Sequence, residues 1–257
     1  MSSFFPWMGG KSKVAKKLTA LLPEHRCYIE LFSGAANILF AKNRSHAEVL
    51  NDINSDLVNL FRVVKYHQRA FIDELHFVLH SRQDFEGYKS QPGLTDIQRA
   101  VRTWYIMKTA FGGKGGTSSP SFGYGTLGKS RLRRTAFGSI RRAHKRLDGV
   151  IVENRDFEDI IKRYDRDYSV FFCDPPYFQT AAYKDAFTWA DHQRLAKALA
   201  KIKGKLLLTI NDHDDIRRLY KGFRIRRVPV TYSVLKSTTK QVQELVIANY
   251  PLPKKLW

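Results

Sequence analysis

The chain has 257 residues, 43% of them hydrophobic, and no apolar run approaches the roughly 18 residues that a membrane span needs. Its 44 Lys and Arg stand against 24 Asp and Glu, a formal charge of +20. So much like charge opposes compaction unless a polyanion is the partner, which points to nucleic acid without separating DNA from RNA.

The first residues, Met1-Ser2-Ser3-Phe4-Phe5-Pro6-Trp7, lack the basic flank and long apolar stretch of a signal peptide. Phe5-Pro6-Trp7-Met8-Gly9-Gly10-Lys11 leads into a helix predicted over Lys13–Leu22, with Val14, Leu18, Leu21 and Leu22 on one face. Gly10-Lys11-Ser12 mimics the tail of a phosphate-binding P-loop, but Phe5 stands where that motif needs glycine, so an NTPase is excluded. A lysine ahead of a helix still suits an anion, such as the carboxylate of a methionine moiety.

Tyr28–Phe32 reads as the first strand. It runs into Glu30-Leu31-Phe32-Ser33-Gly34-Ala35-Ala36-Asn37, whose small residues let a ligand approach the backbone closely. After the strand Glu48–Leu50 comes Asn51-Asp52-Ile53-Asn54. Asp52 is placed either to bind ribose hydroxyls or to cap the helix of Asn54–Tyr66, which carries Leu57, Leu60, Phe61 and Val64.

Residues 67–146 break the alternation. Their patterns are helical, as in Ile97–Thr109, with a Gly/Ser-rich loop at Gly112–Gly128 followed by Lys129, Arg131, Arg133, Arg134, Arg141, Arg142, Lys145 and Arg146. This predicts an inserted helical lobe with a flexible loop and a basic face, dividing a catalytic unit made of 1–66 and 147–257. Lys114, Lys236 and Lys240 join that face as candidate nucleic-acid contacts.

Strands resume at Val150–Glu153 and Val170–Cys173. Thr188-Trp189-Ala190-Asp191 is a capping box opening a helix with Leu195, Leu199 and Ile202. Lys205–Ile210 is a further strand, and Arg224–Val230 with Leu245–Ala248 flank the polar turn Lys236-Ser237-Thr238-Thr239-Lys240 as a closing hairpin. The alternation predicts a doubly wound α/β sheet, with ligands beyond the C-terminal strand ends. Cys27 and Cys173, the two cysteines, both lie in apolar strands, which fits a reducing, cytoplasmic setting; no zinc site is expected.

Asp174-Pro175-Pro176-Tyr177 follows a buried strand directly. Two successive prolines fix φ and remove two N–H donors, leaving a rigid turn whose carbonyls can face a ligand.

In this order, Pro6–Lys11, Glu30–Asn37, Asp52–Asp56 and Asp174–Tyr177 resemble the Dam-like, D12-class DNA adenine-N6 methyltransferases, a group that includes phage enzymes. The resemblance covers nearly the whole chain. It implies a Rossmann-like S-adenosylmethionine-dependent methyltransferase fold with an inserted helical target-recognition lobe. It also implies methyl transfer from S-adenosyl-L-methionine to adenine N6 in double-stranded DNA, with no metal and no obligate protein partner. By its implication Trp7, Lys11, Phe32, Gly34, Asp52, Asp156, Phe157 and Asp174 border the cofactor, and Asp174, Pro175, Pro176 and Tyr177 form the catalytic segment. Asn154-Arg155-Asp156-Phe157 falls where the family contacts the cofactor's adenine, and Asn211-Asp212-His213 resembles its Ser-Asn-His segment.

The chemistry suits these residue types. The adenine amine is a poor nucleophile because its lone pair is delocalised into the ring. A carboxylate and a backbone carbonyl accepting its two N–H bonds, here Asp174 and the carbonyl of Pro175, would push the nitrogen toward an attacking geometry. Tyr177 would stack on a base swung out of the duplex. One departure concerns specificity. Relatives that read GATC carry arginine and asparagine in the loop represented here by Phe111–Thr117, whereas no arginine lies between Lys108 and Gly128. GATC is therefore not carried over, and a short or relaxed target is expected. Cytosine N4, RNA or a protein amide as acceptor stays open at this level, as does a DNA-binding module without catalysis.

Overall fold

The computed structural model describes the chain except residues 92, 125–131, 133–134, 180–186, 236–237 and 255–257; at 135, 231–235 and 238–241 it describes only the backbone. Among the described residues seven strands form one sheet: β1 (Cys27–Glu30), β2 (Ala47–Asn51), β3 (Val150–Glu153), β4 (Ser169–Cys173), β5 (Lys205–Asn211), β6 (Arg224–Leu235) and β7 (Thr238–Ala248). Their order is β3-β2-β1-β4-β5-β7-β6. Strands β1 to β5 pair in parallel, and β7 runs antiparallel between β5 and β6. The winding reverses between β1 and β4, so a crevice is expected beyond their C-terminal ends.

The central strands are apolar because helices cover both their faces. Ser169–Cys173 is buried at every position, as a parallel strand between two helical layers must be. On one face Tyr28, Leu50, Phe172, Leu207 and Val246 form a core with α1 (Ala15–Thr19), α2 (Asn37–Ala41) and α3 (Ser55–Tyr66). The helices of the 67–146 segment join that same core: α4 (Gln68–His76) through Phe71, α6 (Asp96–Thr109) through Trp104 and Met107, and α7 (Thr135–Arg146) through Ile140. Between them α5 (Arg82–Ser90) packs Phe85 on Tyr105 in a small separate cluster. Burying each large side chain stabilises by about 1.5–3 kcal/mol, so these helices are held to the sheet by hydrophobic contact as well as by chain connection. The opposite face packs Ile29, Phe171 and Leu208 against α8 (Phe157–Tyr164), α9 (Trp189–Leu199) and α10 (Asp214–Leu219).

The capping box predicted at Thr188 is present, its hydroxyl accepting from the Asp191 N–H. Three expectations change. The first helix is five residues long rather than ten, because turns flank it on both sides. The closing hairpin is longer than predicted: Thr238–Lys240, read as turn, belongs to β7 and pairs with residues 232–235, since backbone pairing continues through polar, β-prone residues. The Gly-rich segment folds down as far as it is described. Gly115 and Gly116 are buried, Ala110 bridges Phe122, and a Cβ on Gly115 would come within 2.5 Å of the Met107 backbone. Residues 125–128 of that loop lie outside the described residues.

The basic face is also smaller than the sequence suggests. Arg146 is 9% exposed and grips Glu48 of β2 through two bonds of 2.5 and 2.8 Å, while Lys42 reaches the same carboxylate at 2.6 Å. It pins α7 to the sheet, and losing Glu48 would leave the buried Arg146 and Lys42 cations without their shared carboxylate. Arg141, Arg142 and Lys145 do face solvent.

Candidate active site

A cleft opens where the winding reverses. Its lining includes Trp7, Lys11, Phe32, Gly34, Asp52, Asp156 and Phe157, with Asp174, Pro175, Pro176 and Tyr177 entering from the end of β4. The residues that the resemblance names as bordering the cofactor or forming the catalytic segment therefore share one space, while Asn154 is not part of its lining.

Lys11 organises its deepest part. Its side chain is 2% exposed, and Nζ donates to Asp174 Oδ1 at 2.7 Å, Asp174 Oδ2 at 2.9 Å, the Tyr177 hydroxyl at 2.8 Å and the Gly9 carbonyl at 3.1 Å. The helix α1 starts only at Ala15, so Lys11 does not stand directly at the helix start that the sequence suggested. Its charge is directed to the carboxylate instead. Thr209 of β5 donates to Asp174 Oδ1 at 2.8 Å, and the Tyr177 hydroxyl donates to Glu244 of β7. Burial pushes the Asp174 carboxyl above the ordinary range, and the Lys11 ammonium pulls it back.

The strand-to-helix turn after β1 closes the other side. Gly34 has a φ of +46°, and a Cβ there would meet the Trp7 indole at 2.7 Å; from the other side a Cβ on Gly116 would meet the same ring at 2.5 Å. Trp7 is thus held between two glycines. Asp52 accepts from the Gly34 N–H at 2.9 Å, and Asn54, not Asp52, caps α3. Phe32, Phe157 and Phe187 form an aromatic trio with centroids 5.5 to 5.9 Å apart. Asp156 caps α8 and pairs with Arg194 at 3.0 Å.

Two polar residues of this site, Thr209 and Glu244, were not singled out from sequence, while Glu30 and Asn211 were named only within longer segments. Their signal is present, a polar residue within or beside an otherwise apolar strand, which a buried strand tolerates only with a partner. Glu30 lines the cleft at 2% exposure and accepts from the Tyr28 hydroxyl at 2.9 Å and the Leu39 N–H at 3.1 Å. Burial raises its pKa to about 8, so it is protonated at neutral pH. Because the folded value lies above the ordinary 4.5, the folded state holds the extra proton between the two. Stability should fall as pH rises from about 4.5 to about 8, by at most about 1.4 kcal/mol per pH unit. Glu30→Gln is expected to flatten this slope in urea unfolding measured across that range; an unchanged slope would show that Glu30 does not carry it.

The expected DNA contacts are less gathered. Lys114 is exposed in the turn after Phe111–Gly113, and Arg141 is exposed on α7. Lys240 is described only as backbone in β7, and Lys129, Arg131, Arg133, Arg134 and Lys236 lie outside the described residues. Among the described residues no group of three or more His, Cys, Asp or Glu could hold a metal ion, and no helix is long and apolar enough to cross a membrane.

A family model described as D12 class N6 adenine-specific DNA methyltransferase matches residues 7–234. The chain belongs to this family. It is 28% identical over 285 residues to the DNA adenine methylase of Escherichia coli (strain K12), covering 97% of this chain and 95% of that one. It is 26% identical over 266 residues to the DNA adenine methylase of Haemophilus influenzae, covering 93% and 90%. The type II methyltransferase M1.LlaDCHI of Lactococcus lactis subsp. cremoris matches at 24% over 273 residues, 96% and 95%. Coverage is nearly complete on both sides, so the similarity spans the helices of 67–146 as well as the sheet. The fold is the Rossmann-like S-adenosylmethionine methyltransferase fold with helical insertions, and the activity is methyl transfer from S-adenosylmethionine to adenine N6 of DNA.

Proposed function

We propose that the methyltransferase holds S-adenosylmethionine between Trp7, the Gly34 turn, Asp52 and the Phe32–Phe157–Phe187 trio, and receives the target adenine against Asp174–Tyr177. The donor set fits this cofactor. Aromatic rings suit a purine, Asp52 suits ribose hydroxyls, and the Asp174 carboxylate suits a cationic sulfonium. When bound, the cofactor supplies an electrophilic methyl group on a positive sulfur.

The observation that carries the reading is the Lys11–Asp174–Tyr177 network at the end of β4. Asp174 has about four lone-pair sites; Lys11 and Thr209 engage three, which leaves one to accept an N–H of the adenine amine. The raised proton affinity of its buried carboxyl suits it to draw on that proton as the nitrogen attacks. The Pro175 carbonyl takes the second N–H, and Tyr177 stacks on the base. Lys11 keeps Asp174 ionised and fixed, and Pro175 with Pro176 keeps the turn rigid.

Residues 67–146 form the target-recognition segment in this reading, with Arg141 and Lys114 among its phosphate contacts. Lys129, Arg131, Arg133, Arg134, Lys236 and Lys240 belong to the same proposal. The setting is cytoplasmic, in a bacterium or a phage-infected one. Without arginine between Lys108 and Gly128, direct guanine readout is poor there, so the target is short or relaxed and affinity comes mainly from phosphates. Methylating adenine-unmethylated genomic DNA and mapping N6-methyladenine base by base tests this: a degenerate or very short context is expected, and one fixed site of four or more bases would overturn it. DNA affinity should also fall on the order of 10³-fold between about 50 and 200 mM salt; a shallow dependence would contradict phosphate-dominated binding.

A further inference from the structure

Glu244 stands in β7 directly opposite Asn211 of β5 in the antiparallel register. It is 2% exposed and precedes the wholly apolar stretch Leu245–Ala248. A carboxylate at such a position is costly unless it is hydrogen-bonded. It accepts from the hydroxyl of Tyr177, which also accepts from Lys11 at 2.8 Å. Asn211, its cross-strand neighbour, engages the next residue of the same loop: Oδ1 accepts from the Phe178 N–H at 3.0 Å, and Nδ2 donates to the Phe178 carbonyl at 3.1 Å. Thr209, two residues earlier and on the same face of β5, bonds Asp174.

One sheet face therefore grips the loop at three successive points: a carboxylate, a phenol and a backbone amide. A tyrosine has two soft side-chain torsions. Fixing the backbone beside it and tethering the hydroxyl at its far end between Lys11 and Glu244 leaves the ring plane little freedom. Stacking alone would need only an aromatic ring, without a buried acid to hold its tip.

We propose that Glu244 and Asn211 form a cross-strand clamp that sets the plane of the Tyr177 ring and so the seat of the target base. Glu244 is a positioning residue that acts through the Tyr177 hydroxyl. The clamp rests on the reading of Tyr177 as the wall against which adenine stacks.

The test compares kcat at saturating S-adenosylmethionine and DNA, with cofactor affinity by calorimetry, for wild type, Glu244→Gln, Glu244→Ala, Tyr177→Phe and the double variant Tyr177→Phe/Glu244→Ala. Glu244→Ala should lower kcat about 10- to 100-fold, the size of a lost hydrogen bond to a charged group, while cofactor affinity stays within about threefold. Glu244→Gln keeps an acceptor oxygen and should recover most of that loss. In the Tyr177→Phe background, where the tether is already gone, Glu244→Ala should cost no more than about threefold further. Losses that multiply, a glutamine no better than alanine, or wild-type kcat in Tyr177→Phe would each overturn the clamp. Should Glu244→Ala fail to fold, Tyr177→Phe and Glu244→Gln still decide it. Wild-type protein that places no methyl label in N6-methyladenine would overturn the stacking reading itself, an outcome distinct from active wild type with indifferent clamp variants.

Discussion

Asp174→Ala is expected to lower kcat on the order of 10³-fold or more while binding of duplex DNA persists. The amine loses the one acceptor able to take its proton density, and no neighbouring group replaces it. The Thr209 hydroxyl is a weaker acceptor, and Lys11 is a donor. Removing a single well-placed polar group from a preorganised site commonly costs 10²–10³-fold, and Asp174 also orders Lys11, so the loss should lie at or beyond the upper end. Fold stability should drop too, by about 3–5 kcal/mol at most, because a buried ammonium loses its carboxylate. Thermal unfolding and DNA mobility shift separate that loss from the catalytic one. More than about 1% of wild-type kcat in a folded variant would remove Asp174 as the amine acceptor.

The second large effect concerns Lys11→Met, which keeps the apolar stem and deletes the charge. Burial already pushes the Asp174 carboxyl upward, and the Lys11 ammonium is the chief influence opposing it. Without that cation the carboxyl should rise further, so that a larger fraction is protonated at neutral pH and cannot accept the amine proton. The sign follows directly: the acid limb of the kcat/KM profile moves to higher pH, and activity lost at pH 7 returns in part as pH rises. A loss at pH 7 that shrinks as pH rises is expected. A uniform loss with an unmoved acid limb would mean that Lys11 acts only through packing or cofactor contact.

Much of this architecture is legible in the sequence because a parallel sheet announces itself. Val170–Cys173 and Lys205–Ile210 are apolar runs bounded by polar turns, and all seven predicted strands are present. The functional turns are legible for the same reason: Asp52 and Asp174 follow directly on strand ends and Gly34 lies in the turn beyond one, where doubly wound sheets place ligands. Long-range pairing is what the linear pattern does not carry. Arg146 looks like one more charge on a basic helix until the fold brings it to Glu48, 98 positions away. Lys11 shows only as a lysine ahead of a helix, and its partner Asp174 arrives from 163 positions along the chain. Glu244 shows as an oddity before an apolar strand, but its purpose depends on β7 inserting between β5 and β6, which its position at the end of the chain does not disclose.

The most direct measurement is transfer of labelled methyl from S-adenosylmethionine to adenine-unmethylated genomic DNA, followed by digestion to nucleosides and chromatography. Label in N6-methyldeoxyadenosine with wild type, and none with Asp174→Ala, is the expected result. Label in N4-methyldeoxycytidine, or no label from protein shown by calorimetry to bind the cofactor, would contradict it.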